Sequence, residues 1–212
     1  MGSARVTPCD CTVSPHPRRT VVLTGGPGAG KTAVLELVRR QFCRHVVVVP
    51  ESASIVFGGG FPREGSDVAK RGAQRAIFHV QRELETIRAA ADDVAVLLCD
   101  RGTIDGAAYW PGPPEAFWRE VGTTRELELA RYDVVVHLRV PDAAHGYGHS
   151  NGLRVENAEE ARAIDDAIAV AWCGHPRVLA VDSMPSFMDK ARRAIELVRA
   201  ELPSCRCRDL AG

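Results

Sequence analysis

One octapeptide limits the folds open to this chain more than any other feature. GGPGAGKT, from Gly25 to Thr32, follows the short apolar run RTVVLT. It opens a helical pattern over 30–43 with Val34, Leu35, Leu37, Val38 and Phe42 on one side. The segment fits G-x-x-x-x-G-K-[ST] at every fixed position, between a strand and a helix, which is the phosphate-binding P-loop. Gly25, Gly26, Gly28 and Gly30, with Pro27 and Ala29 between them, let the backbone curl so that successive amides point inward at phosphate oxygens. The helix N-terminus, through Lys31, Thr32 and Ala33, adds partial positive charge. Lys31 is placed to reach the outer phosphates of ATP or GTP, and the Thr32 hydroxyl to bind Mg2+.

The rest of the chain repeats the strand-then-helix pattern. HVVVV at 45–49, VAVLLC at 94–99, YDVVVHLRV at 132–140 and RVLAVD at 177–182 read as strands, apolar on both faces and so covered on both sides. Helical patterns occupy 67–91, parts of 114–130, 157–172 and 185–202. In the first of these, Ala73, Ile77, Val80, Leu84, Ile87 and Ala91 mark the inner face. Residues 50–66 read as a glycine-rich loop, and 141–156 as a polar flap. The expected fold is α/β: a three-layer P-loop domain over 18–203, with a five-stranded parallel sheet and helices on both faces. Residues 1–17 and 204–212 read as tails.

Two more strands end in carboxylates. Glu51 follows the second, and Asp100 with Arg101 closes the third. In an open parallel sheet these ends share one crevice with the P-loop. Asp100 is placed to organise magnesium through its water shell. Arg101 stands where many ATP hydrolases carry a second acid, so Glu51 becomes the candidate general base, unless it serves only as a charge at a helix N-terminus. Asp105 either holds Arg101, touches substrate or caps a turn.

Composition narrows the partners. The chain has 27 basic and 27 acidic residues, which argues against nucleic-acid binding through a general basic field. There is no apolar run of the roughly 20 residues a membrane span needs. An odd number of cysteines, seven, without a secretory leader points to a reduced, cytoplasmic setting. Cys9/Cys11 and Cys205/Cys207 read as loose ends rather than a zinc site, and His145 and His149 as solvated loop residues.

GGPGAGKT, VPESA, CDRGTIDGAAYW and the late LRVE together resemble the AAA-like P-loop group that includes the NadR nicotinamide riboside kinase domain and the TRPL-translocation-defect proteins. The resemblance runs over about 20–202. It implies a nucleoside-kinase-like fold with a flap over the phosphates, and ATP or GTP with magnesium as ligands. The family's R-x-E element falls on Arg154 and Glu156. Arg154 would then neutralise charge on the transferring phosphoryl group, an effect worth roughly 10³–10⁵ in rate. Arg139 is a second candidate, better suited to structure.

A phosphoryl acceptor needs its own pocket, for which the 67–91 helix is a natural wall. Gln81 either reads the edge of an acceptor, as its equivalent does in related nucleoside kinases, or faces solvent. Tyr109, Trp110, Phe57 and Phe61 are candidates for stacking on an acceptor or for packing. Arg63, Lys70 and Arg71 either hold an anionic group or face water. The loop 182–187 is a candidate nucleobase contact. These features favour a small-molecule kinase acting on a nucleoside-like hydroxyl. The alternatives are a nucleotide-dependent switch or adaptor with weak NTPase activity and no acceptor, and, as a fallback, a plain NTP hydrolase, against which Arg101 in place of a second acid counts; the NKxD pattern of Ras-like switches is absent.

Overall fold

The computed structural model describes residues 16–141 and 158–202. The flap, Arg154, Glu156, His145, His149 and the paired terminal cysteines lie outside the described residues.

The valine-rich runs become the strands β1 (Arg19–Thr24), β2 (Val46–Val49), β3 (Val96–Asp100), β4 (Val134–Leu138) and β5 (Val178–Val181). β-Branched side chains suit a pleated, covered surface. All neighbours pair in parallel, in the order β2-β3-β1-β4-β5. Side-chain alternation feeds two cores. Val21, Leu23, Leu98, Val136 and Leu138 pack with α1 (Lys31–Gln41) and α7 (Phe187–Ala200). Val22, Leu97, Cys99 and Val135 pack on the other face with Phe78 of α3 (Asp67–Ala89) and Phe117 of α4 (Pro114–Val121). α6 (Ala158–Ala171) places Ala161 in the first core and Ile168 in the second.

The register brings the strand tips together. Leu23 pairs with Asp100, Thr24 with His137, and Val49 with Cys99. The P-loop after β1, Glu51 after β2 and Asp100 in β3 therefore share one edge of the sheet.

Two stretches depart from the sequence expectation, and a third, helical as expected, resolves into two pieces. The supposed loop at 50–66 begins with a helix, α2 (Ser52–Gly58). The segment after Asp100 forms a 3-10 turn over Thr103–Tyr109. The 114–130 region is two helices, α4 and α5 (Arg125–Leu129), parted at Gly122, whose φ of 72° is left-handed.

The inner face of α3 also differs. It buries Ala73, Gln74, Phe78, Gln81 and Glu85, while Ile87 is 64% exposed. Gln81 and Glu85 turn inward because partners meet them there. Glu85 accepts from the Tyr132 hydroxyl at 2.9 Å and from Arg131 at 2.5 Å. Tyr132 in turn accepts from the Thr103 amide at 2.8 Å, and the Thr103 hydroxyl donates to Glu128 at 2.8 Å. This buried network pins the 3-10 turn that follows Asp100. Among the described residues no helix is long and apolar enough to cross a membrane.

Candidate active site

The P-loop backbone takes conformations that glycine allows. Gly25 has φ 140°, and a Cβ there would lie 2.1 Å from the Leu138 carbonyl oxygen. Gly30 has φ 97°, and its Cβ would meet the Phe187 ring at 2.5 Å. Gly25→Ala is therefore expected to lower stability by about 3 kcal/mol, since backbone blocks it and φ is unfavourable. Gly72 of α3 has nothing within 4 Å of an added Cβ, so Gly72→Ala should raise stability by about 0.5–1 kcal/mol. Urea denaturation midpoints of the two variants check both signs.

The amides of Gly28, Gly30, Lys31 and Thr32 donate to no other described residue. They are free donors at a helix N-terminus, the arrangement that suits an anion. The Gly26 amide is committed elsewhere: it donates to Asp165 Oδ1 at 2.8 Å. Lys31 is 8% exposed, and its ammonium donates to the Gly25 and Gly26 carbonyls at 2.7 and 3.0 Å. Burial, then the nearby Arg101 charge, lower its pKa to about 7 against the pull of Asp100, Glu51 and Asp105. Thr32 lines the cavity beside it, and Ala33 stands exposed on the same first turn.

The carboxylates converge as the strand ends imply. Burial, with the Glu51 charge next, raises Asp100 to about 6. Asp100 Oδ1 is buried without a hydrogen-bond partner among the described residues. For Glu51, burial acts upward, but the Arg101 guanidinium and the Ser54 hydroxyl hold the carboxyl below its ordinary value. Arg101 Nε donates to Glu51 at 3.0 Å and Nη1 to Asp105 at 3.2 Å. The Arg101 backbone has φ 70°, a strained value for a side-chain-bearing residue, held by its amide on Leu23 O at 3.1 Å.

Asp105 is 3% exposed and accepts from Thr24 Oγ1 and from Trp172 Nε1, each at 2.6 Å. It holds Arg101, one of its three sequence readings, and it also lines the cavity. Gln81 does not face solvent: it is 1% exposed, and Nε2 donates to Glu85 at 2.9 Å and to the Arg101 carbonyl at 3.2 Å. Tyr109 lies under the Arg101 guanidinium, 5.5 Å from CZ to ring centroid. Trp110 is not a cavity wall. It is 6% exposed and packs on Phe117, with centroids 5.3 Å apart. Phe61 is 43% exposed, while Phe57 lines the cavity. Arg71 pairs with Glu120 at 3.4 Å, and Arg139 with Asp165 at 3.2 Å and Asp166 at 2.6 Å.

A cavity of about 540 Å³ joins these groups. Its lining combines Pro27, Gly28, Lys31 and Thr32 of the P-loop with Glu51, Asp100 and Arg101 from the strand ends, and with Phe57, Arg63, Lys70, Gln74, Ile77, Gln81 and Tyr109.

Sequence reasoning missed the support beneath the P-loop. Asp165 of α6 accepts from Gly26 N and from His137 Nε2, both at 2.8 Å, and from Val140 N at 3.2 Å. Hydrogen bonds from His137 and from the Gly26 amide lower its pKa although burial opposes them. The signal was present: Ala161, Asp165 and Ile168 fall at helical spacing on the buried side of α6.

A family model described as an AAA domain matches residues 20–190. The chain belongs to that AAA domain family. Among solved structures, this AAA domain protein is similar to a NadR protein in complex with NR, with a TM-score of 0.64 and 16% identity. The match covers 87% of this chain and 52% of that one. It is also similar to a NadR protein in complex with NAD and AMP-PNP, with a TM-score of 0.59, 14% identity, and coverage of 87% and 49%. At these identities the likeness is one of fold, the P-loop NTPase-like α/β sheet. The AAA domain chain spans about half the length of these NadR chains. No curated protein matches it.

Proposed function

We propose that this protein is a magnesium-dependent phosphotransferase that moves the terminal phosphoryl group of ATP or GTP to a hydroxyl of a small, nucleoside-like molecule. The observation that carries this reading is the shared cavity: phosphate-binding groups, two carboxylates and a pocket of acceptor size open into one volume. The AAA domain match and the NadR-like fold support the nucleotide side.

In this reading the free P-loop amides and Lys31 hold the phosphates. Glu51 takes the proton from the acceptor hydroxyl. That oxygen attacks the terminal phosphorus, and the bond from phosphorus to the bridging oxygen breaks, leaving the nucleoside diphosphate. Arg101 positions Glu51 and is itself held by Asp105. Arg154, outside the described residues, is the cation assigned to the transferring group. Gln81 and Tyr109 belong to the acceptor. The cleft of about 260 Å³ lined by Arg139, Arg162, Asp165, Asp182 and Ser183 adjoins the P-loop through Asp165 and is assigned to the nucleobase.

Thr32 and Asp100 fit magnesium. Asp100 offers a buried oxygen without a partner, and a divalent cation would offset the burial and the Glu51 charge that raise its pKa. Bound there, magnesium would neutralise phosphate charge.

The lowered pKa of Lys31 has a measurable consequence. Phosphates favour the charged ammonium, so its pKa rises on binding. Between the free and bound values the complex holds more protons than the free protein. Affinity should therefore be greatest below about 7 and fall as pH rises toward the bound value. Calorimetry at pH about 8, in buffers of different ionisation enthalpy, should show uptake of close to one proton. Lys31→Met should abolish that uptake. Proton release instead would contradict the assignment.

The reaction is tested by incubating the protein with ATP or GTP, magnesium and a panel of nucleosides, and looking for product by mass spectrometry. Phosphorylated nucleoside at turnover rates is expected. Slow phosphate release with no phosphorylated product would favour a nucleotide-dependent switch instead.

A further inference from the structure

The half of the cavity away from the P-loop has a chemical pattern of its own. Lys70, Gln74, Ile77 and Gln81 follow at intervals of four, three and four on α3, and all four line the cavity. They form one stripe about 16 Å long. Gln81 sits at the inner end of this stripe. Its Nε2 is used by Glu85 and the Arg101 carbonyl, but its Oε1 is buried with no partner among the described residues. An amide oxygen in that state calls for an N–H or O–H donor. Gln74 is 8% exposed, and its side chain bonds to no other described residue. Phe57, Ile77 and Tyr109 give the space apolar, partly aromatic walls.

Charge is concentrated at the outer end. Lys70 and Arg63 line the cavity, and neither makes an ion pair with a described residue. Three other α3 cations are paired: Arg71 and Arg75 with Glu120, and Arg82 with Glu128. Arg63 instead lies over the Phe57 ring, 4.8 Å from its centroid, which holds its guanidinium against the cavity wall. Of the lining carboxylates, Glu51 and Asp105 are paired with Arg101, and Asp100 stands by the P-loop. That leaves Glu64 against two cations at the outer end.

We propose that the ligand of this half-cavity is a small flat molecule that carries a carboxylate or phosphate, held by Arg63 and Lys70, and that presents a hydrogen-bond donor to Gln81. Calling that ligand the acceptor rests on the phosphotransferase reading; its charge selection rests on the pocket alone. A molecule whose ring is a cation, such as nicotinamide riboside, carries the wrong charge for this end.

The test is calorimetry on the full chain with magnesium and AMP-PNP present. The probes are uridine against orotidine, adenosine against adenosine 3′-monophosphate, and nicotinamide riboside as the cation. Each anionic member should bind about tenfold more tightly than its neutral counterpart, with nicotinamide riboside weakest. Both cations are exposed, so the double variant Arg63→Glu/Lys70→Glu should keep the fold. It should reverse the order, weakening the anions and strengthening nicotinamide riboside. Three results would overturn the proposal: no anion preference, a preference untouched by the double variant, or no binding by any anionic probe. The same mixtures made with ATP separate the two claims. Anion preference without phosphorylated product sinks the phosphotransferase reading alone. Product from nicotinamide riboside with no anion preference sinks the charge selection alone.

Discussion

Lys31→Met should lower turnover about 10²–10³-fold, the cost of removing one preorganised donor to developing phosphate charge. The fold should survive the change. In the nucleotide-free protein the ammonium is buried, and burial works against its charge, so an apolar side chain of similar length is tolerated. The carbonyls of Gly25 and Gly26 lose a donor, which costs some stability in the P-loop. The expected signature is thus a folded protein, with circular dichroism close to wild type, that turns over slowly and does not take up the proton described above. A Lys31→Met protein with wild-type turnover would remove the P-loop from the chemistry.

Glu51→Gln separates binding from chemistry. Amide and carboxylate have the same shape, Arg101 keeps Asp105 at 3.2 Å, and the P-loop is untouched. Nucleotide affinity should change little, while phosphoryl transfer falls by roughly 10²–10⁴, the usual worth of a general base. Single-turnover kinetics on enzyme pre-loaded with ATP and an identified acceptor reads this directly. Transfer at the wild-type rate would reduce Glu51 to a partner that keeps Arg101 in its strained conformation.

The parts of this molecule that could be read from sequence are those written locally. The five strands centre on apolar runs, and their observed ends fall within two residues of the expected ones. The P-loop, Glu51 and Asp100 were legible because each sits at a fixed offset from such a run. What escaped was set by contacts distant in sequence. The apolar period of α3 pointed Ile87 inward. Instead the helix buries Gln74, Gln81 and Glu85, because Arg131, Tyr132 and the Arg101 carbonyl satisfy two of them. The clamp of Asp165 on Gly26 spans 139 positions, and that of Trp172 on Asp105 spans 67. Four glycines within 58–65 signalled a loop and masked the seven residues of α2, whose helix ends where they begin. The aromatic candidates divided on packing that no local pattern encodes: Phe57 and Tyr109 line the cavity, whereas Trp110 is taken up by Phe117.

The proposed reaction depends first on the free amides around Gly28–Thr32, with Lys31, holding the phosphates of a nucleoside triphosphate. Isothermal titration of ATP and GTP with magnesium into the full chain tests it most directly. Saturable one-to-one binding of at least one of them is expected, competed by AMP-PNP and weakened in Lys31→Met. No heat with either nucleotide, or equal binding by the Lys31→Met protein, would contradict it.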